Sequence, residues 1–262
     1  MRFRPCIDIH NGKVKQIVGG SLKDAGDQAE ENFVAQQDAA WFAGLYRQRG
    51  LSGGHVILLN PASSPYYEQT RAQALAALAA YPSGLQLGGG VTPQTAAGWL
   101  DAGASHCIVT SWVFSEGTLH WDRLAQLEKE TGPEHLVLDL SCRRKDGAYY
   151  IMTDRWQTWT DLAVTPALLE ELAGHCDEFL VHAVDAEGKA AGVEEELIRL
   201  LSLYAGKPVT YAGGIGSTED LEKIRRLGGG RMDFTIGSAL DLFGGSIPFE
   251  EAAAFSASVP ER

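Results

Sequence analysis

Two aspartates in this sequence stand at the ends of short apolar runs. Asp8 sits in Pro5-Cys6-Ile7-Asp8-Ile9, and Asp139 closes Leu136-Val137-Leu138-Asp139. A carboxylate at the C-terminal end of a buried strand occupies the catalytic face of an α/β barrel. One such residue alone serves equally well as a helix cap or a structural ion-pair partner. Two of them facing each other across a barrel mouth suit general acid and general base work on a substrate held between them. Apolar neighbours desolvate a carboxylate and raise its pKa, so that it can hold a proton near neutrality.

Glycine-rich turns recur beside these strands. Leu87-Gly88-Gly89-Gly90-Val91-Thr92-Pro93 and Tyr211-Ala212-Gly213-Gly214-Ile215-Gly216-Ser217 each link a strand to a helix start. Thr110-Ser111 and Gly237-Ser238 end the strands that follow. Glycine lets backbone N–H groups approach an anion closely. A Cβ on Gly89 or Gly214 is expected to block that approach. The candidate phosphate contacts are therefore Gly89, Gly90 and Ser111 on one side, and Gly213, Gly214, Gly237 and Ser238 on the other. A single glycine pair could be no more than a tight turn; two sets imply a ligand with a phosphate at each end. The spacing supports this. Asp8 and Asp139 lie 131 positions apart, Gly89 and Gly214 lie 125 apart, and Ser111 and Ser238 lie 127 apart. A repeat of about half the chain predicts two (β/α)4 halves. Three further residues are candidates for substrate contact. Trp156 can stack on a planar ligand or simply pack. His182 ends a strand and faces either the mouth or the core. Glu187 follows on the next turn. The run Arg143-Arg144-Lys145 reads as a solvated face.

The elements that must position these groups alternate. Strands are expected near Phe3–Ile9, His55–Asn60, Leu85–Leu87, Cys107–Thr110, Leu136–Leu140, Phe179–Val184, Val209–Ala212 and Phe234–Ile236. Helices are expected near Phe33–Arg49, Tyr66–Tyr81, Pro93–Ala102, Leu119–Glu130, Pro166–Ala173, Glu194–Tyr204, Thr218–Leu227 and Pro248–Ser256. Thr92-Pro93 and Thr165-Pro166 place a capping hydroxyl before a proline at the first helical position. Val-Ile-Leu-Leu at 56–59 is the continuous apolar pattern of a strand buried on both faces. Eight strand–helix units in about 250 residues predict a (β/α)8 TIM barrel. A doubly wound sheet is the alternative with the same alternation. No shift of composition marks a boundary, so residues 1–262 are expected to form one domain. Ser21–Asn32 and Cys142–Asp161 read as long loops of functional character.

Composition removes several classes of function. The net charge of −12 makes a nucleic acid partner poor, yet backbone N–H groups can still bind phosphate. No run of about 18 apolar residues is present, so no membrane span is expected. The N-terminus lacks a secretory apolar region. The four cysteines, Cys6, Cys107, Cys142 and Cys176, form no close pair; free thiols in the cytoplasm are the expectation. The seven histidines make no metal-binding spacing, so neither a metal nor another cofactor is expected.

Taken together, Pro5-Cys6-Ile7-Asp8, the triple glycine, Asp139-Leu140-Ser141-Cys142-Arg143, Trp156-Gln157-Thr158, Phe179-Leu180-Val181-His182-Ala183, Tyr211-Ala212-Gly213-Gly214 and Gly237-Ser238-Ala239-Leu240-Asp241-Leu242-Phe243-Gly244-Gly245 resemble the ProFAR isomerases among the histidine-biosynthesis barrels, in the form typical of fungi and plants. The resemblance runs from Arg4 to about Phe255. It implies a cofactor-free Amadori rearrangement of a bis-phosphorylated aminoaldose to its aminoketose, the fourth step of histidine synthesis, by a chain expected to be monomeric. It also implies that Asp8 is the base and Asp139 the acid. Departures occur at Leu59-Asn60-Pro61-Ala62, where bacterial members have Asp-Gly-Ala. His182 stands where they have threonine, and Glu187 where they have aspartate, which leaves Glu187 open as an alternative acid. The cyclase subunit of imidazole glycerol phosphate synthase shares the fold, both aspartates and both phosphate turns. A non-catalytic sugar-phosphate-binding barrel would keep the glycines and need neither aspartate.

Overall fold

The computed structural model describes residues 1–17, 31–187 and 192–257. Its centre is a ring of eight parallel strands. In chain order these are β1 (Cys6–His10), β2 (Gly54–Leu58), β3 (Leu85–Gly88), β4 (Cys107–Val109), β5 (Leu136–Asp139), β6 (Glu178–His182), β7 (Val209–Ala212) and β8 (Asp233–Phe234). Each pairs in parallel with its sequence neighbour, from β1 through to β8. A parallel bridge between Phe3 and Phe234 closes the ring, with the Arg4 N–H donating to the Phe234 carbonyl at 2.8 Å and the Phe234 N–H to the Arg2 carbonyl at 3.0 Å. The chain therefore folds as the expected (β/α)8 barrel, and the doubly wound alternative, which leaves an open sheet, is set aside.

Among the described residues, eight α-helices surround the ring: α1 (Ala39–Gln48), α2 (Tyr67–Ala80), α3 (Pro93–Asp101), α4 (Trp121–Thr131), α5 (Pro166–Leu172), α6 (Glu195–Ser202), α7 (Thr218–Leu227) and α8 (Phe249–Ala257). Alternation along the strands separates two layers. Ile7, Leu87, Leu138, Phe179 and Tyr211 are fully buried in the main core with helical residues such as Phe42, Leu78 and Leu124. The opposite strand faces fill the barrel interior, where Ile108, Val137, Leu180 and Ala212 form a small apolar plug. The same face of β6 carries Glu178 at one end, Leu180 in the plug and His182 at the other end.

Local chemistry accounts for several helix starts. The Ser217 hydroxyl accepts the Asp220 N–H, and the Asp220 carboxylate accepts the Ser217 N–H, giving α7 a reciprocal cap worth about 1 kcal/mol. Thr92 and Thr95 cap α3 in the same reciprocal way. Thr165 accepts the Leu168 N–H at the start of α5.

Three regions differ from the expected elements. The first helix starts at Ala39, capped by Asp38, not at Phe33. Glu31–Val34 is a strand, antiparallel to Lys13–Ile17, which itself pairs antiparallel with β1. Phe33 packs edge-on against Phe243, with ring centroids 6.0 Å apart, so its apolar character belongs to this sheet. Of the expected loop Ser21–Asn32, residues 21–30 lie outside the described residues. Leu119 pairs with Phe114 in a short hairpin, so the fourth helix starts at Trp121. The stretch Cys142–Asp161 is not a loop. Cys142–Lys145, Ala148–Thr153 and Thr158–Ala163 form a three-stranded antiparallel sheet above the barrel. Arg143 and Arg144 pair there with Asp185 and Glu196, and Lys145 lies over the Trp159 ring at 5.5 Å. The described cysteines are all free and buried. No helix among the described residues is long and apolar enough to cross a membrane.

Candidate active site

A cavity of about 360 Å³ opens at the C-terminal ends of the barrel strands. Asp8, Gly89, Gly90, Ser111, Asp139, Trp156, His182, Glu187, Gly213, Gly214, Gly237 and Ser238 all line it. The candidate residues thus meet in one place, although they come from seven of the eight strand ends and the sheet above.

The two aspartates have different surroundings. Asp8 receives a side-chain hydrogen bond from Gln16 Nε2 at 2.9 Å, and the Cys6 thiol also donates to it. Burial, with the Glu187 carboxylate adding to it, raises its pKa to about 6; the Gln16 bond and His182 oppose the rise. Asp139 accepts three side-chain hydrogen bonds. Its Oδ1 takes Ser141 Oγ at 3.0 Å and faces His182 Nδ1 at 3.0 Å. Its Oδ2 takes Thr110 Oγ1 at 3.3 Å. Burial alone would drive the His182 pKa down. The Asp139 charge and hydrogen bond, joined by Glu187 and Asp8, overcome burial and lift it to about 9. Burial also raises Glu187, against the pull of His182. His55, deeper in the barrel, is held down at about 3 by burial and by the charge of His182, and stays neutral. His182 therefore faces the mouth and not the helical core.

The glycine turns are bound by the barrel's own backbone. A Cβ on Gly89 would sit 2.1 Å from the Leu58 carbonyl oxygen, and Gly89 has φ +101°. A Cβ on Gly213, at φ +110°, would sit 2.8 Å from the Ala183 carbonyl oxygen. Gly90 and Gly214 follow at φ +72° and +75°. The torsions thus match Gly89 with Gly213 and Gly90 with Gly214, one position away from the match drawn from sequence spacing. A Cβ on Gly214 would meet the Gly192 carbonyl oxygen at 2.2 Å. At Gly89 and Gly214, glycine is required by backbone already present, before any ligand arrives.

Trp156 reaches the cavity from an unusual turn. Asp154, Arg155 and Trp156 have φ of 52°, 56° and 67°, three successive left-handed residues that each cost about 1 kcal/mol or more. The turn is tied down locally. Thr153 Oγ1 donates to Asp154 Oδ2 at 2.8 Å, and the Gly117 N–H of the neighbouring hairpin donates to Thr153 Oγ1 at 3.1 Å. The Trp156 ring lies 6.5 Å from the His182 ring.

Sequence reasoning missed Gln16 and His55 as site residues, and did not assign Thr110 and Ser141 to Asp139. Ser141 carried a signal, since it follows Asp139 by two positions. Gln16 carried none: it belongs to the hairpin strand after β1 that the apolar pattern did not reveal. Among the described residues, no group of three metal-ligating side chains comes together.

The family described as Histidine biosynthesis protein matches residues 2–247. This chain belongs to that family. Among histidine-biosynthesis proteins, one relative from Medicago truncatula is 49% identical over 259 residues, covering 97% of this chain and 81% of its own length. It is named a chloroplastic 1-(5-phosphoribosyl)-5-((5-phosphoribosylamino)methylideneamino)imidazole-4-carboxamide isomerase. Relatives with the same isomerase name come from Yarrowia lipolytica, 47% identical over 93% of each chain, and Saccharomyces cerevisiae, 40% identical over 95% of this chain and 96% of its own.

Proposed function

We propose that this chain is the isomerase of histidine biosynthesis that converts the aminoaldose N′-[(5′-phosphoribosyl)formimino]-5-aminoimidazole-4-carboxamide ribonucleotide into its aminoketose. The substrate is a phosphorylated small molecule. The observation that carries the reading is one cavity lined by Asp8 and Asp139, on strands four places apart in an eight-stranded ring, and by a glycine turn on each side. An aldose–ketose shift needs a proton delivered to the ring oxygen and a proton removed from C2′. Asp8 is the base. With its pKa lifted toward the working pH, it is ionised at neutrality yet more basic than an ordinary aspartate. The Asp139 side of the cavity supplies the acid. Gly89, Gly90 and Ser111 bind one phosphate, and Gly213, Gly214, Gly237 and Ser238 bind the other. The matched torsions at the two turns support two related half-barrels within a single domain. Trp156 stacks on the flat imidazole carboxamide and holds the ribose over Asp8. Four free, buried thiols suit a reducing compartment such as the cytoplasm. The reaction is complete within one barrel, so a monomer suffices.

The test is incubation of the purified chain with aminoaldose alone, followed by detection of aminoketose. Conversion without a glutaminase or ammonia is expected. Consumption of supplied aminoketose with ammonium, and no action on aminoaldose, would identify a cyclase instead. Binding of the substrate without turnover would leave only a sugar-phosphate-binding barrel.

A further inference from the structure

Asp139 is poorly arranged to release a proton itself. Both of its oxygens already accept hydrogen bonds from Ser141 and Thr110, and Oδ1 also faces the His182 ring nitrogen. Both oxygens are thereby engaged as acceptors. The ring beside it has the opposite character. Nδ1 of His182 is turned to Asp139, so the ring's other nitrogen, Nε2, is directed away from Asp139 while the side chain lines the cavity. Its exposure is 20%, against 13% for Asp139, so the imidazole lies nearer the open space than the carboxylate behind it. The arrangement is that of a carboxylate that orients an imidazole and fixes its proton. Glu187, the other carboxyl on this side, has Oε2 only 3.2 Å from where a Cβ on Gly213 would sit. That places it against the glycine turn on the phosphate side.

We propose that His182 is the proton donor of the isomerisation and that Asp139 is a positioning residue acting through it. This rests on the isomerase reading above. Nε2–H gives its proton to the ring oxygen as the C1′–O bond breaks and its electrons stay on that oxygen. The lone pair of the glycosylamine nitrogen closes the C1′=N bond. Asp8 then takes the C2′ proton; the released electrons form C1′=C2′, and the C=N π electrons return to nitrogen. The neutral Nε2 next accepts the proton of the 2′-hydroxyl as C2′=O forms, while Asp8 returns its proton to C1′. Both groups end as they began, and no further reactant is consumed.

The titratable and charged groups that share the cavity with His182 are Asp8 from β1, His55 from β2, Asp139 from β5, Glu187 beyond β6 and Arg155 from the turn beside Trp156. Of these, the carboxylates favour the imidazolium, while burial and the Arg155 guanidinium act against it and His55 is neutral. The ring therefore carries its proton throughout the neutral range and loses it near pH 9.

The experiment is a pH profile of kcat/KM on aminoaldose for the wild type, His182→Gln, Asp139→Asn and Glu187→Gln, with an NMR titration of the histidine ring in the wild type and in Asp139→Asn. The wild type should rise as Asp8 ionises near pH 6 and fall near pH 9. His182→Gln should lower turnover by about 10² to 10⁴ and remove the alkaline fall. Asp139→Asn should move that fall, and the ring's titration, to lower pH. Glu187→Gln should keep the alkaline fall. Near-normal turnover in His182→Gln would overturn the proposal, as would a fall that disappears in Glu187→Gln and survives in His182→Gln. A ring titration unmoved by Asp139→Asn, readable even if that variant is inactive, would overturn the role of Asp139. A wild type that does not convert aminoaldose would sink the isomerase reading instead.

Discussion

The two ends of the barrel are built from the same strands and treat charge in opposite ways. At the N-terminal end, Arg4 reaches Glu178 at 3.2 Å and Asp233 at 3.1 Å, all three nearly inaccessible to water. Gln86 Nε2 and Thr210 Oγ1 donate to the same glutamate, at 3.1 and 2.6 Å. Both of these carboxylates have a cation and neutral donors, the Arg2 N–H serving Asp233. At the mouth, Asp8, Asp139 and Glu187 gather around the His182 ring, and the side-chain donors to Asp8 are the Gln16 amide and the Cys6 thiol, with no ion-pair contact of its own among the described residues. On β6 the two settings are four residues apart, Glu178 in one and His182 in the other. The lesson is that satisfaction of charge separates support from chemistry. A carboxylate whose partners are complete holds the barrel closed, whereas one left short of partners is free to take a proton.

The comparison breaks most sharply at Asp8. Asp8→Asn should lower turnover by about 10² to 10⁴, the scale of a lost general base, measured in steady-state assays on aminoaldose. A turnover near wild type would remove Asp8 from the proposed chemistry. Arg4→Ala is the counterpart at the other end. It strands two buried carboxylates, and about 3 to 5 kcal/mol of stability should be lost in urea unfolding. Its turnover, measured where the variant is folded, should stay within about threefold of wild type. A silent Arg4→Ala would mean that the lower network contributes little to closure.

Gly89→Ala sharpens the contrast in backbone. Its Cβ would drive into the Leu58 carbonyl oxygen, and a strained or shifted turn costs about 1 to 3 kcal/mol. Both thermal stability and affinity for a phosphorylated ligand should fall, the latter read by calorimetry. The fourth effect is one of stability at Asp8 itself. Its folded pKa of about 6 lies above the ordinary 3.8, so the folded state holds that proton more tightly than the unfolded chain does. Its stabilising share is complete below the unfolded value and is lost as pH rises through about 6. Asp8→Asn should therefore be more stable than wild type at pH 8, by up to about 3 kcal/mol, with the gap closing toward pH 4. An inactive variant that is more stable would show that the mouth trades stability for chemistry. No gain at pH 8 would show that the cavity solvates Asp8 well.

The local order of the elements was legible because each signal is short-range. Apolar runs set the eight barrel strands, hydroxyl-proline pairs started α3 and α5, and the glycine turns marked two links at the mouth. The candidate residues also met in one cavity, since each closes a strand or follows one, and a parallel ring brings all such ends to one face. Tertiary structure decided the rest. The direction of His182 depends on Asp139 and Ser141, brought together across adjacent strands. Gln16 reaches Asp8 only because Lys13–Ile17 folds back on β1. The sheet over the mouth turns Trp156 inward through three left-handed residues that no local preference favours. Arg4, Glu178 and Asp233, separated by 174 and 229 positions, were ordinary charged residues in the sequence. Only closure of the ring makes them neighbours, because a partner so distant along the chain leaves no trace in local pattern.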